Sequence, residues 1–122
     1  MSPPPRNNVE PSIIHKLYKL YLAVYIRVQK FPKKDRYTIG ARIENKLLEI
    51  IELIILATTK TGLSQMLILN KADINLKVFR LFIRIANKTK SLPDTGFIEI
   101  SEKTVEVGKM LGGWIKYTKD QH

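Results

Sequence analysis

The sequence contains no cysteine and only two histidines, His15 and His122. Without cysteine there is no disulfide framework, no thiolate metal ligand and no thiol nucleophile. His15 follows an apolar pair, which is typical of a partly buried surface histidine and not of a ligand or base. Metal sites in helix bundles typically use Glu-x-x-His motifs, and the sequence has none. We therefore predict no metal site and no cofactor.

The six glycines form no phosphate-binding loop. Their only cluster, at Gly108, Gly112 and Gly113, has neither a preceding strand nor the Gly-Lys-Ser/Thr ending of a P-loop. The glutamates alternate with basic residues or lie near the start of a predicted helix, where they favour the helix dipole. No catalytic group remains, and the prediction is a protein that is not an enzyme.

Long hydrophobic runs are absent. The most apolar stretch, Leu47 to Ala57, contains Glu49 and Glu52 and is far shorter than the ~20 residues of a membrane helix. Residues 1–11 are polar and proline-rich, without the apolar run of a signal peptide. We expect a soluble, cytoplasmic protein that makes no membrane contact.

Positive charge is abundant, with 21 lysines and arginines against 11 acidic residues, a net charge of +10. A small domain with this excess is typical of proteins that bind a polyanion or an acidic partner. The alternative is that the charge only maintains solubility. The length of 122 residues and 44% hydrophobic content indicate one folded domain.

Helical periodicity dominates the chain after a proline-rich start. Pro11 suits a first helical position, the Phe31-Pro32 pair ends the first helix, and Asp35 and Ser64 are expected N-caps of the second and third helices. We predict a flexible tail at 1–10 and a single domain at 11–119, with helices at about 11–30, 36–60, 64–90 and 98–118. Short connections between such helices predict an all-α, antiparallel up-down-up-down four-helix bundle.

Each predicted helix has an apolar row at alternating spacings of three and four, which predicts its buried side. In the first helix the row is Ile14, Leu17, Tyr21, Val24, Val28 and Phe31. In the second it is Ile39, Ile43, Leu47, Ile50, Ile54 and Ala57. In the third it is Ile74, Val78, Leu81 and Ile85. In the fourth it is Ile100, Thr104, Val107, Leu111 and Trp114.

The first two helices carry a second apolar row beside the first. Its members are Tyr18, Leu22 and Tyr25 in the first helix and Leu48, Ile51 and Ile55 in the second. A monomeric bundle of this size does not need this surplus, so the pattern predicts a homo-oligomer with these residues at its interface. The alternative is a thick core that buries both rows.

Two rows of basic residues follow helical spacing. The first comprises Lys77, Arg80, Arg84 and Lys88, and the second comprises Lys16, Lys19, Arg27 and Lys30. Such rows match phosphates without reading bases, so they are candidate nucleic-acid or polymerase contacts. The alternative interpretation is that each row is only a solvent-exposed helix face without a partner. Four tyrosines are candidates for stacking on bases or for packing: Tyr18, Tyr25, Tyr37 and Tyr117.

The glycines of the last helix destabilise it by on the order of 1 kcal/mol each. We predict that a neighbouring helix or another subunit approaches the backbone at Gly108, Gly112 and Gly113, with Trp114 as the adjacent apolar anchor.

Three segments resemble a known family. FPKKDRYTIGARIENKLLEIIELI resembles the second-helix region of the four-helix-bundle proteins of bacterial ribosomal-RNA intervening sequences. LNKADINLKVFRLFIRIANKTK and VGKMLGGWIK resemble the accessory variability determinant branch of that family, which belongs to diversity-generating retroelements. The residues of the last segment that carry the resemblance are Gly108, Leu111, Gly112, Gly113, Trp114 and Lys116. The resemblance extends from His15 to Lys119.

The resemblance implies a non-catalytic subunit that assembles into a pentameric barrel. Such a barrel binds the retroelement's reverse transcriptase and its template RNA or cDNA, without strong sequence specificity, and supports mutagenic reverse transcription. Lys77, Arg80 and Arg84 match the basic third-helix positions of the branch. The alternative is a structural or ribosome-associated bundle of the intervening-sequence type, without a polymerase partner.

Overall fold

The computed structural model describes the backbone of residues 4–121 and the side chains of residues 12–121. These residues form helices and connections, with no strand among them. The helices are α1 (Pro4–Gln29), the single turn α2 (Lys33–Arg36), α3 (Ile39–Ala57), α4 (Gly62–Lys88) and α5 (Asp94–Asp120).

The four long helices form a square bundle. Helix α1 packs against α3 and α5, and α4 packs against the same two helices. Helices α1 and α4 therefore occupy opposite corners, as do α3 and α5. Because the connections are short, consecutive long helices run antiparallel. The predicted all-α bundle is confirmed.

The N-terminal boundary differs from the prediction. Helix α1 begins at Pro4, so Pro11 lies inside the helix and does not begin it. Prolines fit a first helical turn because the amide hydrogens of that turn have no partner within the helix. The first helix therefore begins seven residues before its predicted start, and residues 1–3 of the predicted tail lie outside the described residues.

The core follows the predicted rows on α3 and α5. Every predicted core residue of α5 is buried, and on α3 only Ile39 is half-buried. On α1, Ile13 and Leu20 are fully buried where Ile14 and Tyr21 were predicted, and these two are half-buried. The buried row of α1 is Ile13, Leu17, Leu20, Val24 and Val28, followed by Phe31.

The predicted buried row of α4 is wrong. Ile74 is 60% exposed, and Leu81 and Ile85 are also exposed. The row that enters the core is Leu69, Ala72, Leu76, Phe79, Ile83 and Ala86. Both rows have helical spacing, and at about 100° per residue they lie on roughly opposite sides of the helix. Periodicity alone does not choose between them, because α4 is apolar on two sides.

The connections also differ from the predicted caps. Thr38 and Thr61 occupy the N-cap positions of α3 and α4, without a side-chain cap hydrogen bond. The Asp35 carboxylate instead accepts a hydrogen bond of 2.6 Å from the Ser91 hydroxyl. Ser64 lies inside α4, so neither predicted cap serves that role.

Gly40 shows why α3 tolerates a glycine near its start. A Cβ at this position would lie 2.9 Å from Val28 Cγ1 and 3.2 Å from the Asp35 carbonyl oxygen. Gly40 therefore permits α3 to approach the end of α1 closely.

Candidate nucleic-acid interface

A groove of about 410 Å³ between α4 and α5 contains three of the predicted basic residues. Lys77, Arg80 and Arg84 line it from α4. Its apolar lining comes from both helices, and Leu81 and Val105 are exposed there. Cations at helical spacing beside an open apolar surface form a site suited to a polyanion or to an acidic protein partner.

The groove continues along the bundle. A second depression of about 230 Å³ shares Lys77, Arg80 and Val105 with the first and reaches Gly108 and Lys109. From residue 97 to residue 109, α5 rises by roughly 18 Å. The two depressions therefore form one elongated track, which we call the α4–α5 groove.

Most of the basic row on α4 is available to a partner. The Lys77 ammonium pairs with Asp73 Oδ2 at 2.6 Å, one helical turn earlier. Among residues 12–121, no carboxylate lies within 4.0 Å of Arg80, Arg84 or Lys88. All four basic side chains of the row are exposed. Three of them therefore present charges that the described chain does not neutralise.

The basic row on α1 is divided between two environments. Lys16 pairs with Glu106 at 3.4 Å and Arg27 pairs with Glu99 at 3.2 Å. Both pairs connect α1 to α5, so these two cations serve packing within the bundle. Lys19 and Lys30 are exposed.

The predicted oligomer residues of α1 and α3 converge on another face. Tyr21 Oη donates a hydrogen bond of 3.1 Å to Glu44 Oε1. This bond identifies the side of α1 and the side of α3 that face each other. Tyr18 and Tyr25 are one helical turn before and after Tyr21, so they lie on the same side of α1. Leu48, Ile51 and Ile55 are four, seven and eleven residues after Glu44, so they lie on the corresponding side of α3.

We call this surface the α1–α3 face. Tyr18 is 60% exposed, Leu48 40% and Ile55 49%, whereas Ile51 is half-buried. Leu22 is also exposed but points about 100° further round α1 than Tyr21. Because α1 and α4 occupy opposite corners of the square, the α1–α3 face and the α4–α5 groove lie on opposite sides of the bundle.

Among the described residues, the Tyr21 hydroxyl is the group whose pKa the fold alters most clearly. Burial raises the pKa of the Tyr21 phenol above its ordinary value, and the hydrogen bond to the Glu44 carboxylate raises it further. The neutral phenol is therefore the form that the α1–α3 contact favours.

A neighbouring helix approaches one of the three glycines of α5, Gly108, and the approach of another subunit to Gly112 and Gly113 stays a prediction. A Cβ at Gly108 would lie 3.1 Å from Arg80 Nη2, so the α4 guanidinium covers this backbone. No described atom lies within 4 Å of the corresponding position at Gly112 or Gly113, so no neighbouring helix approaches them. Trp114 is buried in the core as predicted, and its indole N–H has no partner among the described residues.

Sequence reasoning missed the α5 side of the groove. Phe97, Ser101 and Val105 line it at spacings of four, a periodicity that was visible in the sequence beside the predicted core row. Within the part of the chain described, no group of three or more His, Asp or Glu side chains is placed to hold a metal ion. No described helix is both long and apolar enough to cross a membrane.

Comparison with known proteins agrees with the resemblance seen in the sequence. The chain matches the family model described as bAvd-like over residues 12–118. Comparison with the curated proteins gives no match. Since the match extends from within α1 to near the end of α5 and covers most of the chain, the protein belongs to the bAvd-like family.

Proposed function

We propose that the protein is a non-catalytic accessory subunit of a diversity-generating retroelement. In this role it binds the retroelement's reverse transcriptase and its template RNA or cDNA and supports mutagenic reverse transcription. The family match supports this assignment. The observation that carries it is the α4–α5 groove, where Arg80 and Arg84 have no carboxylate partner among residues 12–121.

The groove combines two kinds of surface that a ribonucleoprotein subunit needs. Its cations attract phosphates at any sequence, because phosphates carry no base identity. Its exposed aliphatic side chains, Leu81 and Val105, offer contact area to a protein. A polymerase and its RNA are thus partners of matching chemistry for one continuous surface.

Self-association completes the proposal. The α1–α3 face exposes aromatic and aliphatic side chains that a monomer would leave in water. This face and the α4–α5 groove are on opposite sides of the bundle, so a contact made by the α1–α3 face of a subunit does not cover the groove of the same subunit. A pentameric ring, the assembly that the family resemblance implies, would present five copies of the basic row and bind a polyanion multivalently.

The direct experiment is co-purification. A tagged copy of the full chain, expressed with the reverse transcriptase and template RNA of its retroelement, should recover both at moderate salt. Replacing Arg80 and Arg84 by glutamate should abolish recovery without changing the helical circular dichroism. If neither the polymerase nor the RNA is recovered with the unmodified chain, the proposal is wrong. A gene inside a 23S ribosomal-RNA locus, without a neighbouring reverse transcriptase gene, would favour the ribosome-associated alternative.

A further inference from the structure

One end of the bundle concentrates four lysines, three of them outside the predicted rows. The Ser91 hydroxyl donates to Asp35 Oδ2 at 2.6 Å, which joins the α4–α5 connection to α2 across 56 residues of sequence. Lys33 and Lys34 lie within two residues of Asp35, and Lys90 precedes Ser91. With Lys88, the last residue of α4, they place four exposed lysines at this end.

The carboxylates at this end are already engaged. Asp35 accepts the hydrogen bond from Ser91, and Asp94 accepts one of 2.8 Å from the Asn87 side-chain amide. Among residues 12–121, neither makes an ion pair with a lysine. The lysine charges are therefore available to an external anion.

An exposed aromatic ring stands beside these lysines. Tyr37 is 70% exposed, and the Arg36 guanidinium lies 5.9 Å from its ring centroid. A depression of about 630 Å³ opens next to the ring, and its lining includes Thr38, Arg42 and Phe82. Its volume is within the range that holds a small organic molecule such as a nucleoside.

We propose that this end of the bundle is a subsite for single-stranded RNA. One base stacks on Tyr37 over the depression, and the flanking phosphates contact the lysine pairs at 33–34 and at 88–90. A flat ring beside cations is the arrangement that binds single strands without reading sequence, because every base has a stacking face. A duplex keeps its bases stacked on each other and cannot supply one to Tyr37.

This inference rests on the proposed function and names the RNA form that the subunit holds. Lys88 belongs both to this subsite and to the basic row that follows the α4–α5 groove. Positive charge therefore continues along the basic row to the end of α4, where the subsite begins.

The test measures binding of a fluorescently labelled oligoadenylate to the full chain by anisotropy. Tyr37→Leu, which keeps apolar bulk without a ring, should weaken binding of the strand roughly ten-fold. Tyr37→Phe, which keeps the ring, should bind like the unmodified protein. An RNA duplex of the same length, or an abasic strand, should bind Tyr37→Leu and the unmodified chain equally.

Each outcome separates the two proposals. If the unmodified chain binds the strand and Tyr37→Leu binds it equally well, the stacking subsite is wrong and the proposed function stands. If the unmodified chain binds no RNA, the subsite is wrong, and the proposed function then depends on recovery of the polymerase in the co-purification. Displacement of the strand by an equimolar amount of adenosine monophosphate would also overturn the subsite, because a strand held at several contacts should bind much more tightly than a single nucleotide.

Discussion

The Ser91 hydroxyl donates a hydrogen bond of 2.6 Å to the carboxylate of Asp35, which lies 56 residues earlier in the chain. Ser91 is buried and Asp35 is half-buried, so water replaces this bond poorly. The bond holds α2 against the α4–α5 connection.

Removing this bond should destabilise the bundle. Ser91→Ala leaves the Asp35 carboxylate without its donor, and we expect the free energy of unfolding to fall by about 2 kcal/mol, as for hydrogen bonds to charged groups. Urea denaturation followed by circular dichroism measures this loss. Ser64→Ala, at an exposed position in the first turn of α4, is the matched control and should change stability little. Equal midpoints for the two variants would show that the bond contributes nothing.

Two glycine-to-alanine substitutions should act in opposite directions. At Gly40 an added methyl meets Val28 Cγ1 at 2.9 Å and must displace it, so Gly40→Ala should destabilise the protein by about 2 kcal/mol. At Gly112 the added methyl meets nothing in the described chain, so Gly112→Ala should stabilise the helix by about 1 kcal/mol. Thermal unfolding measures both. A loss of stability or of assembly in Gly112→Ala would instead indicate that another subunit packs on this glycine.

Alkaline pH should weaken the contact between α1 and α3. Burial, followed by the Glu44 hydrogen bond, raises the pKa of Tyr21 in the folded protein. A raised folded-state pKa means that Tyr21 contributes its full stabilisation below its unfolded pKa of about 10. That contribution is lost as the pH rises through the folded value. Tyr21→Phe should therefore be less stable near neutral pH and should show a shallower loss of stability above pH ~10. Identical stability–pH curves would contradict this account of Tyr21.

Charges placed on the α1–α3 face should prevent self-association. The double variant Leu48→Glu and Ile55→Glu puts carboxylates where an oligomer would bury apolar side chains, and we expect light scattering to report a smaller species with unchanged helicity. Ile74→Glu, on the outer side of α4, is the control and should keep the size of the unmodified protein. A stable monomer of the unmodified chain at micromolar concentration would contradict the predicted oligomer.

The fold was largely predictable, because spacing and turn chemistry pointed to the same four helices. The core row of α5, from Ile100 to Trp114, could be predicted because that helix has only one continuous apolar side. Helix α4 has two, and the row that includes Leu76 and Phe79 is buried because α3 and α5 both pack against α4. That choice depends on neighbouring helices, which a single helical pattern does not contain.

The exposed basic residues of the site were predictable from the sequence, whereas its long-range contacts were not. The exposed row of α4 followed from spacing, since charged side chains at helical intervals rarely enter a core. The ion pairs of Lys16 with Glu106 and of Arg27 with Glu99 did not follow from spacing, because the partners lie 90 and 72 residues apart in the chain. The role of Asp35 could not be predicted for a similar reason. Its contact with Ser91 joins segments 56 residues apart and exists only in the folded bundle.

The measurement that tests the central claim most directly is the salt dependence of RNA binding by a variant whose α4 basic row has been neutralised. The test variant replaces by glutamine the four basic residues of the α4 row: Lys77, Arg80, Arg84 and Lys88. A control variant of equal net charge replaces by glutamine four exposed lysines elsewhere: Lys60, Lys71, Lys116 and Lys119.

For single-stranded RNA, each lost phosphate contact lowers the slope of log K against log salt by about 0.7. Loss of the four contacts should thus lower the slope by about 3, with affinity at moderate salt falling well over ten-fold. The control should retain nearly the full slope and affinity. Equal losses in the two variants would mean that only net charge attracts RNA, and would contradict a binding site on α4.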